Sequence, residues 1–153
     1  GSGMHALISH QEQMHLLRQD PGHIQTAAQE MFRFESPLPF FHRYASEELT
    51  FNEKHYPKGT KFGLLYGSAN RDPDQFPNAD KFDVSRTPNH HVAFGRGAHL
   101  CLGNHLSRLD MEVIFLSILR RTKYIELTGA EPAYKRSLSV RGPESLGVSL
   151  IPK

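Results

Sequence analysis

Phe94-Gly95-Arg96-Gly97-Ala98-His99-Leu100-Cys101-Leu102-Gly103 is the most chemically specified stretch of the chain. Two glycines one residue apart let the backbone take dihedrals that side chains disfavour and approach a partner closely. The chain's single cysteine follows, at the expected start of a helix, where free N–H groups and the helix dipole favour a thiolate. Gly103 again leaves room for a close approach. The stretch reads as a thiolate presented by a tight loop to a flat or bulky partner. A lone cysteine is more often a buried structural residue. Here Phe94, Gly95, Gly97, His99, Cys101 and Gly103 are all specified within ten residues. At average residue frequencies that coincidence arises in on the order of one chain in a million.

Downstream, Leu102, Leu106, Leu109, Val113 and Leu116 step by four, three, four, three, which predicts one apolar helix face. Ile114, Phe115, Ile118 and Leu119 widen it, so the helix is expected to be buried. Upstream, residues 4–19 read as one amphipathic helix carrying Leu7, Met14 and Leu17, ended by Asp20-Pro21-Gly22. A second helix is expected over residues 23–34, burying Ala27, Ala28, Met31 and Phe32. Ser36-Pro37-Leu38-Pro39 stops it, because a residue before proline avoids helical dihedrals. Residues 40–45, 49–51 and 61–66 read as short strands, with a turn at 57–59. Residues 68–88, punctuated by Pro73, Pro77 and Pro88, read as a long irregular segment of the kind that is usually functional or disordered. Strands are expected at 124–127, 137–140 and 147–151, the last two pairing across 141–144.

Composition narrows the class. At 153 residues and 38% hydrophobic, the chain can bury the core of one domain. A formal net charge of +2 is too small to suggest a nucleic-acid partner. One cysteine excludes an intrachain disulfide and points to a reducing compartment. No apolar run approaches the ~18 residues of a membrane span, and no secretory h-region is visible. Gly1-Ser2-Gly3 before Met4 reads as a cloning scar, leaving residues 4–153 as the domain. Ten histidines draw attention to metal or cofactor chemistry.

Phe-Gly-x-Gly-x-His-x-Cys-x-Gly resembles the heme-binding signature of the cytochrome P-450 superfamily, the heme-thiolate monooxygenases. Glu30-Met31-Phe32-Arg33 resembles the family's Glu-x-x-Arg on its K helix. Ala69-Asn70-Arg71-Asp72-Pro73, then Phe76-Pro77 and Phe82-Asp83-x-x-Arg86, resemble the meander of soluble bacterial-type members. His10-Gln11-Glu12-Gln13 resembles the start of their J helix. The resemblance implies an α+β, mainly helical fold: the C-terminal portion of the cytochrome P-450 fold, with J, K and L helices, small sheets, meander and Cys loop. It implies that well over half of a usual member would precede this chain, including the I helix and its acid–alcohol pair. Gln29, where the family often has Glu, is a departure.

The resemblance also implies roles. Cys101 would be the axial ligand of a heme b iron, the ligand type that favours O–O cleavage. Phe94 would pack by the sulfur, with Gly95, Gly97 and Gly103 shaping the loop. His99 and Arg43 would bind heme propionates by charge-assisted hydrogen bonds. Glu30, Arg33 and Arg86 would form a buried network that supports the meander. Leu38, Pro39, Phe40 and Phe41 would line a pocket for a small hydrophobic substrate, and residues 142–144 would form a hairpin tip touching it. His91 reads as a loop histidine near the heme edge, not a ligand. Arg71, Arg96 and Arg108 would offer a basic face to a ferredoxin-type electron donor in the cytoplasm. Helix faces left uncovered would invite self-association, domain swapping or a partner chain. Two other readings stay open: a heme-binding or heme-free module without oxygenase turnover, and a zinc site from His91, His99, Cys101 and His105.

Overall fold

A computed structural model of the chain describes residues 1–137 and 139–153. Helices α1 (Ser2–Ser9), α2 (Gln11–Gln19) and α3 (Ile24–Phe34) come first. Strands β1 (Phe41–Tyr44), β2 (Leu49–Phe51), β3 (Lys54–Tyr56) and β4 (Lys61–Leu64) follow, then a one-turn helix α4 (Tyr66–Ala69) and a long irregular segment. Helix α5 (Asn104–Arg121) leads into β5 (Thr122–Leu127), and β6 (Val148–Pro152) closes the chain.

The expected single helix over 4–19 is two helices, broken at His10. The His10 N–H turns to Leu7 O, and the imidazole Nδ1 bonds the vacated Ala6 carbonyl at 2.8 Å. That local competition ends α1. The His10 ring then packs on Phe34 and Phe82. Ser2 and Gly3 form the first turn of α1. A Cβ built on Gly3 would lie 3.0 Å from Met31 Sδ, so the helix packs tightly there.

Helix α3 buries Ala27, Ala28, Met31 and Phe32, as its periodicity requires. Ala27 and Met31 join Leu7, Met14, Leu17, Phe82, Val84, Phe115, Leu119 and Ile125 in one apolar core between the helices, the irregular segment and β5. Polar side chains strap that segment down. Gln13 Oε1 accepts from Val84 N–H at 2.9 Å, and Thr26 Oγ1 donates to Val84 O at 2.6 Å.

Strands β1 and β4 pair antiparallel, placing Arg43 opposite Phe62. The β2–β3 hairpin has a strand that the sequence reading did not contain. It turns on Asn52 and Glu53, with φ of 47° and 63°, and two successive positive φ values normally announce themselves through glycine. The C-terminal pairing also differs from expectation: β6 pairs antiparallel with β5, and among the described residues of 137–140 none forms a strand. Part of that expected strand, Leu138, lies outside the described residues. The turn near 141–144 instead returns toward Tyr134, which bridges Pro143.

The expectation of a buried α5 is corrected. Phe115 and Leu119 enter the core, but Leu102 is 99% exposed, Leu106 62% and Val113 57%. The helix docks on α3 through the opposite side and leaves the stripe from Leu102 to Val113 in solvent, while Leu116 packs at the edge of the core. Arg18 closes its C-terminal end, donating to Leu119 O at 2.9 Å and to Thr122 O, where a cation complements the helix dipole.

Candidate functional site

The glutamate and arginine on α3 are one turn apart, hence on one face. Both side chains are fully buried, and Arg33 holds Glu30 through two bonds of 2.7 and 2.8 Å. Arg33 also donates to the carbonyls of Asn70, Ala79 and Lys81. Glu30 accepts further bonds from Arg86 (3.2 Å), Asp83 N–H (2.9 Å) and Asn89 (3.1 Å). Arg86 continues to the carbonyls of Pro77, Asn78 and Lys81. The three residues singled out from sequence thus meet at one point. They order an irregular segment that has almost no backbone ladder of its own. Asn70 extends the scaffold by donating to Ser36 Oγ (2.8 Å) and accepting Val92 N–H (2.7 Å).

That last bond anchors the cysteine loop. Gly95 and Gly97 have φ of 70° and 68°, the left-handed region where glycine is nearly free of strain. Cys101 N–H returns to Phe94 O at 3.0 Å and closes the loop. Helix α5 opens at Asn104, so Cys101 stands just ahead of the helix and not in its first turn. Its thiol is free and exposed. A Cβ built on Gly103 would lie 4.0 Å from Cys101 Sγ, so glycine keeps the sulfur's flank open.

Cys101, His99, Arg43, Phe94, Gly95, Leu38 and Phe41 line one cleft of about 360 Å³, with Phe32, Pro37 and Tyr66 among the rest of its wall. Gly97 lies outside the lining and faces open space. Pro39 and Phe40 do not line it either. Pro39 packs on Gly67, and the Phe40 ring covers Gly63, so both turn away from the cleft that Pro37, Leu38 and Phe41 line. The Arg43 guanidinium stacks over Phe41 at 5.0 Å and donates to His42 O. Phe32 backs Phe94 with ring centroids 4.7 Å apart. Phe32 and Tyr66 carry no sequence signal of their own; they reach the cleft only through the fold.

A second polar chain went unseen in the sequence. His91 is buried and accepts Ala93 N–H at Nδ1 (3.2 Å), so its proton sits on Nε2 and donates to Gln29 Oε1 (3.0 Å). Arg108 Nε donates to the same oxygen (3.1 Å), which identifies that atom of Gln29 as the carbonyl. Arg108 Nη1 donates to Asn104 Oδ1 (2.8 Å), and Asn104 Nδ2 donates to Cys101 O (2.7 Å).

Burial, helped by the charges of Arg108, Arg33 and Arg96, pulls the His91 pKa down to about 4. The folded chain therefore holds His91 neutral where the unfolded chain protonates it. Its contribution is complete above pH 6.5 and is lost as pH falls toward 4, about 3 kcal/mol across the window. Urea titrations between pH 7 and 4 are expected to show that loss, and His91→Asn to flatten it. An equal slope in both chains would contradict this account.

The basic face expected from Arg71, Arg96 and Arg108 is uneven. Arg71 lies over the Phe34 ring and pairs with Asp80 at 2.8 Å, Arg108 is half-buried, and Arg96 is exposed. Among the described residues no three His, Cys, Asp or Glu side chains gather as a metal cluster, so the zinc reading has no geometry behind it. Among the described residues no helix is long and apolar enough to cross a membrane.

The site is thus an apolar cleft with one free thiol, an imidazole and a guanidinium among its lining groups. A sequence model of cytochrome P450 matches residues 6–149. The polyketide biosynthesis cytochrome P450 PksS of Bacillus subtilis is 39% identical over 98% of this chain, and the chain spans 38% of that protein. The biotin biosynthesis cytochrome P450 of the same organism is 39% identical over 94% of the chain, which spans 36% of it. The solved PksS structure superposes with TM-score 0.93 at 38% identity, covering 99% of this chain and 40% of its own. The structure of P450BioI with an acyl carrier protein carrying hexadec-9Z-enoic acid also superposes at 0.93, with 38% identity over 97% of this chain and 39% of its own. The chain belongs to the cytochrome P450 family and matches the C-terminal part of these relatives.

Proposed function

We propose that this chain is the heme-thiolate part of a monooxygenase, with Cys101 as the axial ligand. The observation that carries the reading is the shared cleft of Cys101, His99 and Arg43. The donor set fits heme b: one free thiol on an apolar wall, and an imidazole and a guanidinium whose N–H groups suit propionate carboxylates. When bound, the heme supplies oxygen activation. Cys101 donates the thiolate, His99 and Arg43 hold the carboxylates, and Phe94 limits water beside the sulfur. Phe41 and Leu38 form one wall for a small hydrophobic substrate. Glu30, Arg33 and Arg86 act on none of these groups directly; they hold the loop that does.

The cleft is open, so turnover requires further covering structure. Leu102, Leu106, Leu109 and Val113 are the surface on which that structure would sit, whether a longer chain, a partner or a second copy. A ferredoxin-type donor would approach the face around Arg96. Light scattering with an apolar dye is expected to show self-association or strong dye binding, and Leu106→Gln with Val113→Gln to reduce it. A monomer that binds no dye would overturn the uncovered-surface reading.

The test of function is the absorbance of the chain with hemin, reduced and exposed to carbon monoxide. A strongly red-shifted Soret band supports thiolate ligation by Cys101. An unshifted band, or no uptake, favours a module without oxygenase chemistry.

A further inference from the structure

Arg108 has no carboxylate within ion-pair distance among the described residues, although it is half-buried. Its Nε is met by the neutral carbonyl of Gln29. Its guanidinium carbon lies 5.0 Å from the Phe94 ring centroid, so one aromatic ring separates the charge from the cleft. Its other arm orients Asn104, whose amide grips the Cys101 carbonyl at 2.7 Å. Gln29 is itself held by His91 Nε2. The glutamine carbonyl therefore receives two N–H donors, one from a neutral imidazole, and leaves the Arg108 charge uncompensated.

We propose that Gln29 is a positioning residue: its neutral amide aims Arg108 at the Cys101 turn while leaving the arginine's positive charge uncompensated, so that the charge acts on Cys101 and on any group ligated there. This rests on Cys101 being the ligand. A carboxylate at position 29 would make the same contacts but cancel the field. A positive charge beside the ligand favours the more reduced, more negative state of a bound iron, and holds electron density on the Cys101 carbonyl through Asn104.

The chain's single cysteine makes the test local, because cysteine labelled with ¹³C at its carbonyl marks one site. Gln29→Glu is expected to shift the Cys101 carbonyl resonance upfield, in the direction that Asn104→Ala shifts it by removing the amide. In hemin-loaded protein the same variant is expected to lower the ferrous-to-ferric ratio at fixed potential about tenfold, about 59 mV for a one-electron couple. Gln25→Glu, the same charge on the exposed side of α3, is expected to do neither. Arg108→Gln reproduces the Gln29→Glu shift, and Arg108→Lys partly restores the parent value. Thermal melts separate these effects from unfolding. The proposal is overturned if Gln29→Glu and Gln25→Glu shift the carbonyl equally, or if the carbonyl moves and the potential does not. A parent chain without a thiolate spectrum overturns the functional reading above; the carbonyl shift in heme-free protein then still decides whether Gln29 governs the Cys101 turn.

Discussion

Arg33→Ala is expected to abolish the cooperative unfolding transition of this chain. The side chain is fully buried and makes five hydrogen bonds, two to Glu30 and one each to Asn70, Ala79 and Lys81 carbonyls. Removing one partner of a buried ion pair costs about 3–5 kcal/mol, because the other charge stays buried without it. Each buried carbonyl left unpaired adds about 1–3 kcal/mol. Even with some water entry the sum rivals the ~5–15 kcal/mol that holds a domain together. Arg33→Lys is expected to lose most of this too, because an ammonium cannot make the planar bidentate contact. Arg71→Ala is the contrast. Its Asp80 partner is 92% exposed, so that pair contributes under about 1 kcal/mol, and with its bonds to Phe34 O the loss is expected to be about 1–2 kcal/mol, well below that of Arg33→Ala. Urea or thermal denaturation followed by circular dichroism checks the series. An Arg33→Ala chain that melts with the parent would mean the network is not what orders the irregular segment.

Cys101→Ser is expected to do the reverse: a nearly unchanged fold and a complete change of ligation. The thiol is exposed, and the loop is closed by Cys101 backbone groups bonded to Phe94 and Asn104, all of which serine retains. Stability is expected to stay within about 0.5 kcal/mol of the parent. The red-shifted reduced carbon monoxide band is expected to vanish, because a hydroxyl does not replace a thiolate as a soft donor. His99→Ala and Arg43→Ala are expected to keep the band and weaken hemin binding, each by about tenfold, the value of one charge-assisted bond. A Cys101→Ser chain that retained the band would remove Cys101 from the proposed ligand role.

The contrast between these variants follows what was legible along the chain. The cysteine loop and the Glu30/Arg33 pair are short-range features. Gly95 and Gly97 permit positive φ, and one helical turn puts a glutamate and an arginine on one face, wherever the rest of the chain goes. The buried face of α3 was legible for the same reason. Pro39 and Phe40 fall outside the cleft because their contacts with Gly67 and Gly63 are tertiary ones, which the local sequence of a non-helical segment does not specify. The α5 stripe shows the limit most plainly. Periodicity established an apolar face, but it carries no information on what covers that face, and here it lies in solvent.

The sequence by itself determined the family, the cysteine loop and the Glu30/Arg33 pair, since each is written in residues close together and bound by backbone geometry. Only the tertiary structure decided the break at His10, the β5–β6 pairing, the single cleft that joins Arg43 to Cys101, and the Gln29 relay. Gln29 meets His91 across 62 residues and Arg108 across 79. No local propensity encodes such meetings. They exist because the apolar core brings α3, the loop and α5 together, and buried polar groups there must then find one another.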